Sequence, residues 1–486
     1  MANDRIQPVN EALLDQRLAL LEKARPWSAR LVSKLESHVR GAPDEALFRI
    51  NPFTFARERN AAEVEVIDLF LHATAQGLFG MDWLLVCPGC STVVESFRSL
   101  KSVHNHYYCS FCQAHHEAAL DEYIAVAFTV SPEIRDIVFH HPEQLSARDY
   151  VFKVRNTADG LLPNGTPFAE AKAASAVAVC YVGPASSTRV EVELAEGTVL
   201  AASPEGSASV HFAVAGPRAG AAQLTPVQFG ANQPPRQESL APGKVTFDVR
   251  NTLAERGTFV VAPIPSGMPK LRFLPFLTGK RLLTSQAFRD LFRTEVIRAS
   301  EGISVREITF LFTDLKGSTA LYDRIGDLNA FSLVQQHFEV LHEVTVRHGG
   351  AIIKTIGDAV MATFLTPADA VAAALEMRAA ITASNRGRAD RELVLKIGVH
   401  AGAAIAVTLN DRLDYFGQTV NIAARVQGLA EADEIYLSED TNSADGVAAL
   451  LAAHPVESKV LKLKGVQQDM RVFCVAPPTP KAATHA

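Results

Sequence analysis

The sequence of 486 residues lacks an apolar run of the ~20 residues that a transmembrane helix requires, and it has no strong excess of either charge. Its first residues, Met1 to Arg5, lead into charged sequence rather than into the apolar core of a secretory signal. Lysine plus arginine number 47 against 53 acidic residues, a formal charge of −6, which argues against a protein dedicated to coating nucleic acid or anionic membrane. We therefore expect a cytoplasmic protein with no membrane span and no nucleic-acid partner.

Cysteine is also scarce, since the chain has only six, and four of them form two C-x-x-C pairs. The pairs are Cys87 with Cys90 and Cys109 with Cys112, and they enclose eighteen residues. A reducing cytoplasm disfavours disulfides, and this spacing is typical of zinc ribbons, in which four thiolates close a tetrahedral site around structural Zn²⁺. A redox pair or a disulfide remains the alternative.

Four histidines crowd the second cysteine pair, namely His104, His106, His115 and His116. One of them could replace a cysteine as a metal ligand or sense pH, because neutral imidazole binds zinc and titrates near neutrality. Ordinary surface histidines are the simpler interpretation of each. The predicted zinc ligands are therefore the four cysteines.

Hydrophobic residues make up 48% and charged residues 21%, which is typical of folded protein, and the length predicts about three domains at ~150 residues each. Short alternating runs such as Val190–Leu194 and Val245–Val249 predict strands, whereas Phe288, Leu291 and Phe292 have helical spacing. We predict a helical segment over 1–60, a helical and zinc-ribbon module over 61–122, an all-β sandwich-like regulatory domain over 123–265, a linker helix over 266–302, an α+β catalytic domain over 303–476 and a flexible tail over 477–486.

The first motif of the C-terminal third places Asp314 at the end of an apolar strand, followed by the small residues Gly317, Ser318 and Thr319. A loop of small residues that opens a helix presents backbone amides and the positive end of the helix dipole to an anion. A carboxylate beside it is suited to a metal ion. The motif indicates a site for phosphate and metal, although Asp314 as a simple helix cap remains open.

The second motif is a predicted hairpin over residues 351–364 that turns at Gly357 and Asp358. If this hairpin pairs with the first strand, Asp358 can lie beside Asp314. Two neighbouring buried carboxylates repel each other unless cations lie between them, and Mg²⁺ is commonly held by one or two carboxylates plus substrate phosphates. The pair favours two-metal catalysis.

The third motif places Asn421 and Arg425 four residues apart, on one face of a predicted helix. An arginine fork there suits a phosphoryl oxygen, although for these two residues taken alone an exposed polar pair on a solvated helix is the favoured interpretation. With all three motifs in this order, residues 303–476 resemble the catalytic domain of the class III nucleotidyl cyclases, the adenylate and guanylate cyclase family. Residues 45–300 resemble the uncharacterised region that precedes some bacterial class III cyclases.

The resemblance implies a ferredoxin-like α+β fold and a head-to-tail homodimer with its active sites at the interface. It implies that Asp314 and Asp358 hold two Mg²⁺ or Mn²⁺ ions in each active site. It also implies that Asn421 orients the ribose and that Arg425 stabilises the charge growing on the α-phosphoryl group. The two aspartates would come from one protomer and the asparagine and arginine from its partner.

The resemblance further implies that Lys354 and Asp414 read the purine edge and that Lys464 binds the terminal phosphates, although Lys462 is close in register. A lysine donates to N1 of adenine and an aspartate accepts from its amino group, whereas guanine presents the opposite pattern. The sequence therefore predicts an adenylate cyclase that uses ATP. A guanylate cyclase and a non-catalytic ATP-binding signalling domain remain the alternatives.

Overall fold

The computed structural model describes residues 8–206, 208–230, 236–264, 270–298, 301–385, 393–466 and 468–477, without the side chain of Thr319. The chain forms two compact units. The N-terminal unit comprises Met1–Ser99, Val103–Ala118 and Glu122–Thr278, and the C-terminal unit comprises Leu100–Ser102, Ala119–Asp121 and Gly279–Ala486. Most of the predicted tail, residues 478–486, lies outside the described residues, as do residues 266–269 and 299–300 of the predicted linker.

The N-terminal unit contains six α-helices within its described residues: α1 (Glu11–Ala24), α2 (Leu31–Gly41), α3 (Pro52–Glu58), α4 (Glu63–Ala75), α5 (Ala147–Asp149) and α6 (Phe168–Ser175). Single 3₁₀ or π turns cover Asp44–Leu47, Val138–His140, Pro142–Gln144 and Tyr150–Val154. The described strands are β1 (Phe79–Val86), β2 (Val93–Phe97), β3 (His106–Cys109), β4 (Ala114–Glu117), β5 (Ile124–Val130), β6 (Gly160–Leu161), β7 (Ala178–Val182), β8 (Ser187–Leu194), β9 (Gly197–Ser203), β10 (Ala208–Val214), β11 (Gln223–Phe229), β12 (Arg236–Leu240), β13 (Gly243–Asn251), β14 (Gly257–Ile264), β15 (Arg272–Phe273) and β16 (Leu277–Thr278).

The first part of this unit packs helices against a four-stranded antiparallel sheet with the order β16-β5-β1-β2. Phe70 of α4 stacks on Phe128 of β5 with ring centroids 5.0 Å apart, and it meets Phe55 and Phe79 edge to face. These buried aromatic side chains join the helices to one face of the sheet, because large rings bury the most apolar area per residue.

The second part of the unit contains a five-stranded sheet, β12-β10-β9-β14-β7, and a three-stranded sheet, β11-β13-β8. Alternate residues of these strands are buried and contribute to one shared core that includes Phe212, Phe247 and Phe259. Successive side chains of a strand point to opposite faces, so the alternating sequence leaves each sheet with one apolar face that the other sheet covers.

The C-terminal unit contains the remaining described helices, α7 (Gly279–Leu283), α8 (Gln286–Leu291), α9 (Ser318–Ile325), α10 (Asp327–Arg347), α11 (Pro367–Ser384), α12 (Gln418–Gln427), α13 (Glu439–Asn442) and α14 (Val447–Leu451), with a 3₁₀ turn over Leu100–Ser102. Its described strands are β17 (Ile303–Leu315), β18 (Ala351–Ile356), β19 (Ala359–Phe364), β20 (Leu395–Leu409), β21 (Arg412–Phe416), β22 (Ile435–Ser438), β23 (Val456–Leu461) and β24 (Met470–Val475).

These eight strands form one sheet in the order β18-β19-β17-β20-β22-β24-β23, with β21 paired to β20. Helices α10 and α11 cover one face through a core of alanine, valine and leucine side chains. Helix α12 contacts β20 closely, since a Cβ added at Gly398 would lie 2.2 Å from the backbone nitrogen of Gln427. A side chain at position 398 would therefore push α12 away from the sheet.

The predicted hairpin over 351–364 is confirmed, because β18 and β19 turn at Gly357 and Asp358. The region of the predicted linker helix instead contains two short helices, α7 and α8, separated at Ser285. The hydroxyl of Ser285 accepts a hydrogen bond from the backbone N–H of Phe288 at 3.3 Å, which starts a new helix there. In the part of the chain that the structure describes, no helix is long and apolar enough to cross a membrane.

Candidate active site and metal centre

Asp314 lies near the end of β17, the strand between β19 and β20 in the sheet. Phe312 pairs with Met361 across β17 and β19, and the backbone N–H of Val360 donates to the hydroxyl of Thr313 at 3.1 Å. Continuing this antiparallel register places Asp314 beside the turn that carries Asp358. This register predicts that Asp314 and Asp358 lie close together at this end of the sheet.

Asp358 follows Gly357, whose φ of +64° is in the left-handed region that favours glycine. One carboxylate oxygen of Asp358, Oδ2, is buried without a hydrogen-bond partner among the described residues. A buried and unpaired carboxylate oxygen is costly, and a divalent cation is a suitable partner for it. The donor chemistry of this position fits Mg²⁺ or Mn²⁺.

Two neighbours of these aspartates were not predicted from the sequence. Lys396 lies opposite Asp314 in the pairing of β17 with β20, and its Nζ is 3.7 Å from Oδ2 of Asp314. His337 of α10 is fully buried, and burial lowers its pKa to about 4 although it contacts the Asp358 backbone. Lys396 thus places a cation beside one of the two predicted metal-binding carboxylates.

Lys354 of β18 and Asp414 of β21 form an ion pair, with Nζ 2.5 Å from Oδ2. The side chain of Asp414 is 10% exposed and that of Lys354 is 39% exposed, so the carboxylate is largely buried and the lysine side chain is partly open to solvent. The other oxygen of Asp414 accepts from the backbone N–H of Tyr415 at 2.8 Å. The structure therefore brings the two predicted purine-reading residues together, with a donor directly beside an acceptor.

The predicted phosphate and ribose residues form a third group on α12 and the loop after β23. Asn421 is exposed on α12, and Arg425 lies one turn later. A Cβ added at Gly465 would lie 3.1 Å from a guanidinium nitrogen of Arg425, so this guanidinium lies against the loop that carries Lys464. Lys462 and Lys464 are both exposed, and the structure does not favour one over the other.

The loop after Asp314 has the predicted form. Gly317 adopts a φ of +75° and precedes α9, which begins at Ser318. The first backbone amides of α9 have no carbonyl partner within the helix, and they form an anion-binding end. The side chain of Thr319, the third predicted residue of this loop, lies outside what the structure describes.

The four cysteines of the two C-x-x-C pairs converge in the N-terminal unit. Their sulfur atoms all lie within 4.8 Å of one another, and the Sγ atoms of Cys87 and Cys112, and of Cys90 and Cys109, are 3.6 Å apart. Zn–S bonds of about 2.3 Å in a tetrahedron place sulfur atoms about 3.8 Å apart. The cluster therefore has the size of a zinc tetrathiolate, and all six cysteines are free of disulfides.

Lys172 of α6 is a buried cation beside this cluster. Its Nζ donates to the carbonyl of Cys90 at 2.8 Å and also to Asn156. Burial lowers the pKa of Lys172, whereas the neighbouring cysteines raise it. Four thiolates with Zn²⁺ would carry a net negative charge, and the ammonium of Lys172 would compensate it.

Two family models match the chain. Residues 302–476 match the "Adenylate and Guanylate cyclase catalytic domain", and residues 14–290, more than half of the chain, match the "Family of unknown function (DUF5939)". The chain belongs to the DUF5939 family. In this DUF5939 protein the C-terminal unit contains an adenylate and guanylate cyclase catalytic domain, which confirms the resemblance of residues 303–476.

Similar proteins include two from Rhizobium meliloti (strain 1021). The DUF5939 protein is 28% identical over 180 residues to its "Putative adenylate cyclase 3", covering 37% of this chain and 30% of that protein. It is 34% identical over 154 residues to its "Adenylate cyclase 2", covering 29% of this chain and 42% of that protein. The chain therefore spans less than half the length of these relatives. A crystal structure of an adenylyl cyclase from P. aeruginosa is 22% identical with a TM-score of 0.33, covering 37% of this chain and 98% of that one.

Proposed function

We propose that this protein is an adenylate cyclase that converts ATP to 3′,5′-cyclic AMP and pyrophosphate. The observation that carries the proposal is the contact of 2.5 Å between Lys354 and Asp414 in a cyclase catalytic domain. It supports adenine as the base, because adenine presents an acceptor at N1 beside a donor at its 6-amino group. Guanine instead has a donor at N1 and an acceptor at O6. It would therefore place a donor against the ammonium and an acceptor against the carboxylate.

The carboxylates of Asp314 and Asp358 would hold the divalent cations. The buried, unpaired oxygen of Asp358 supports this assignment. Bound Mg²⁺ or Mn²⁺ supplies Lewis-acid chemistry, since it lowers the pKa of a hydroxyl and neutralises charge on phosphate oxygens. The amides at the start of α9 and the ammonium of Lys396 would bind the phosphates of ATP at the same end of the sheet.

In the reaction, the ribose 3′-oxygen attacks the α-phosphorus in line with the departing pyrophosphate, and the 3′ proton passes to solvent. The guanidinium of Arg425 would stabilise the charge that grows on the α-phosphoryl oxygens. Asn421 would orient the ribose, and Lys464 would bind the terminal phosphates. Positioning and charge stabilisation account for catalysis here without a dedicated general base.

We further propose that the active form is a homodimer in which each site combines Asp314 and Asp358 of one protomer with the purine-reading pair, Asn421 and Arg425 of the other. Large apolar side chains near the purine-reading pair support an interface there. Ile356 is 51% exposed two residues after Lys354, and Phe416 is 63% exposed two residues after Asp414. A dimer would remove these side chains from water.

The activity is tested with the full-length protein and Mn²⁺, supplied with ATP or GTP and assayed for both cyclic nucleotides. We expect cyclic AMP, with kcat/KM for ATP at least ~100-fold higher than for GTP, because mispaired polar edges of a base are strongly rejected. A preference for GTP would indicate a guanylate cyclase. Tight ATP binding without any product would indicate a non-catalytic ATP-binding domain.

We also propose that Cys87, Cys90, Cys109 and Cys112 bind one structural Zn²⁺ with no ligand position left open for catalysis. The mutual distances of the four sulfur atoms support this proposal. His116 is the histidine nearest to them among the contacts described, with Nε2 3.5 Å from Sγ of Cys87, and we assign it no bond to the metal.

We expect the purified protein to contain one zinc per chain by elemental analysis, since the described residues form one such cluster. Cys109→Ser should lose the metal and lower the Tm, because structural zinc contributes directly to folding free energy. Cys180→Ser is the matched control, since Cys180 lies outside the cluster, and it should keep the metal. Full zinc content in Cys109→Ser would contradict the proposal.

A further inference from the structure

The N-terminal unit contains a cavity of about 410 Å³ whose lining residues all belong to that unit. The lining comes from α2, from α3 with Arg59, from the segment between these helices, from the sheet formed by β1, β2 and β5, and from residues 152–173 and 273–276. Small-molecule sites commonly occupy ~300–1,000 Å³ and combine apolar walls with a few polar groups. The size is therefore that of a ligand site rather than of a packing defect.

The sheet provides an apolar wall for this cavity. Leu84 pairs with Ala125 and Val86 pairs with Val93, so their side chains lie on one face of the sheet. Phe273 and Phe276 pack against the same cluster. This wall contacts an apolar body favourably and offers it no hydrogen bonds.

Arg49 supplies a cation to the same cavity. Its guanidinium lies 4.8 Å from the ring of Phe48, and one of its terminal nitrogens donates to the carbonyl of Val154 at 2.5 Å. The Nε of Arg49 is buried with no hydrogen-bond partner in the described part of the chain. Its backbone has a φ of +48°, which is an uncommon conformation for arginine.

The other cations of the lining already have carboxylate partners. Lys153 lies 2.9 Å from Glu45, and Arg59 lies 3.1 Å from Glu58. No carboxylate of the described residues lies within ion-pair distance of Arg49; the carboxylate of Asp82 raises the pKa of Arg49 from a greater distance, and its own ion pair is with Arg98. A buried cation without a partner is costly, so an anion bound beside Arg49 would remove that cost.

Asp159 also lines the cavity, but its hydrogen bonds are satisfied. It accepts from the side-chain amide of Asn51 at 2.9 Å and from the hydroxyl of Thr157 at 3.1 Å. Burial raises the pKa of Asp159 and lowers that of Arg49 to about 10, so the arginine stays charged at neutral pH. Glu170 also lines the cavity, but it is exposed to solvent. Arg49 is therefore the cation of the lining that has a buried nitrogen without a hydrogen-bond partner among the described residues.

We propose that this cavity binds an amphipathic organic anion, with its apolar body against Leu84, Val86 and Phe273 and its anionic group on the guanidinium of Arg49. Carboxylates and phosphate monoesters both match the planar fork of arginine. This binding site goes beyond the proposed cyclase activity and does not depend on it.

The test uses two fluorescent probes with one ring system, 8-anilinonaphthalene-1-sulfonate and the uncharged N-phenyl-1-naphthylamine. Titrated into the full-length protein, the sulfonate should bind once per chain and at least tenfold more tightly than the neutral dye. Arg49→Met should weaken the sulfonate at least tenfold and change the neutral dye less than twofold. Arg49→Lys, which keeps the charge, should recover part of the loss, which separates a charge effect from a folding defect.

Lys153→Met is the matched control, because Lys153 lines the same cavity and is already paired with Glu45. Lys153→Met should change the Kd of the sulfonate dye and the Kd of the neutral dye by less than twofold. Decanoate and decyl phosphate should displace the sulfonate dye, whereas decanol should not. The anion that displaces the dye at the lower concentration identifies the preferred anionic group. Equal binding of the two dyes, equal losses in Arg49→Met and Lys153→Met, or no displacement by either anion would overturn the proposal.

Discussion

Asp314→Ala is expected to lower kcat for cyclic AMP formation at least ~1,000-fold, because it removes one of the two carboxylates proposed to hold the divalent cations. Metal ions supply several kcal/mol of charge stabilisation in such reactions, and each 1.4 kcal/mol is about tenfold in rate. The Tm should change little, since the side chain of Asp314 is 35% exposed at the end of its strand. Steady-state kinetics with Mn²⁺ and ATP would measure the loss, and Asp327→Ala, at an exposed carboxylate at the start of α10, is the matched control.

The same variant tests the shared site of the proposed homodimer. Arg425→Ala should be inactive as well, because it removes the guanidinium that stabilises the transition state. Mixing the two inactive chains in equal amounts, under conditions that exchange subunits, should restore about a quarter of the wild-type activity. Half of the dimers would then be mixed, and each would have one intact site of two. A mixture that forms heterodimers and stays inactive would contradict a site built from both protomers.

The fold of the C-terminal unit was largely predictable because its local signals agree with its packing. The hairpin turn at Gly357 needs a left-handed glycine, and Thr366 caps α11 by accepting the N–H of Asp369 before a run of alanines. The linker was less predictable. Helical spacing of Phe288 and Phe292 indicates a helix but gives no information about the hydroxyl of Ser285 that begins one.

The candidate site was predictable only where the motifs or the family resemblance named its residues. Asp314 and Asp358 follow from strand and turn positions, whereas the contact of Lys354 with Asp414 joins strands sixty residues apart. Lys396 is the one lysine in β20, a strand with no arginine or acidic residue, and this isolated charge was its one available signal. Lys172 and Arg49 gave no signal in the sequence. The cysteine cluster beside Lys172 and the cavity beside Arg49 are each formed by distant segments of the chain.

The purine-reading pair should exchange base preference when both residues change together. In Lys354→Glu combined with Asp414→Ser, the new carboxylate can accept from N1 and the amino group of guanine, and the hydroxyl can donate to O6. We expect the ratio of kcat/KM for ATP over GTP to fall at least ~1,000-fold, because a site built for one polar edge rejects the reversed edge. Assays of both cyclic nucleotides under identical Mn²⁺ concentrations would measure this ratio.

The single substitutions should differ from each other, because the two partners differ in burial. Lys354→Glu leaves the buried carboxylate of Asp414 facing a second carboxylate, so it should lower both activity and Tm. Asp414→Ser leaves Lys354 able to reach solvent, so it should lose ATP selectivity with little change in Tm. Arg347→Glu reverses an exposed arginine at the end of α10 whose partner is Glu376, and it is the control for a charge reversal away from the pair. Unchanged selectivity in the double variant, with a normal Tm, would show that Lys354 and Asp414 do not contact the base.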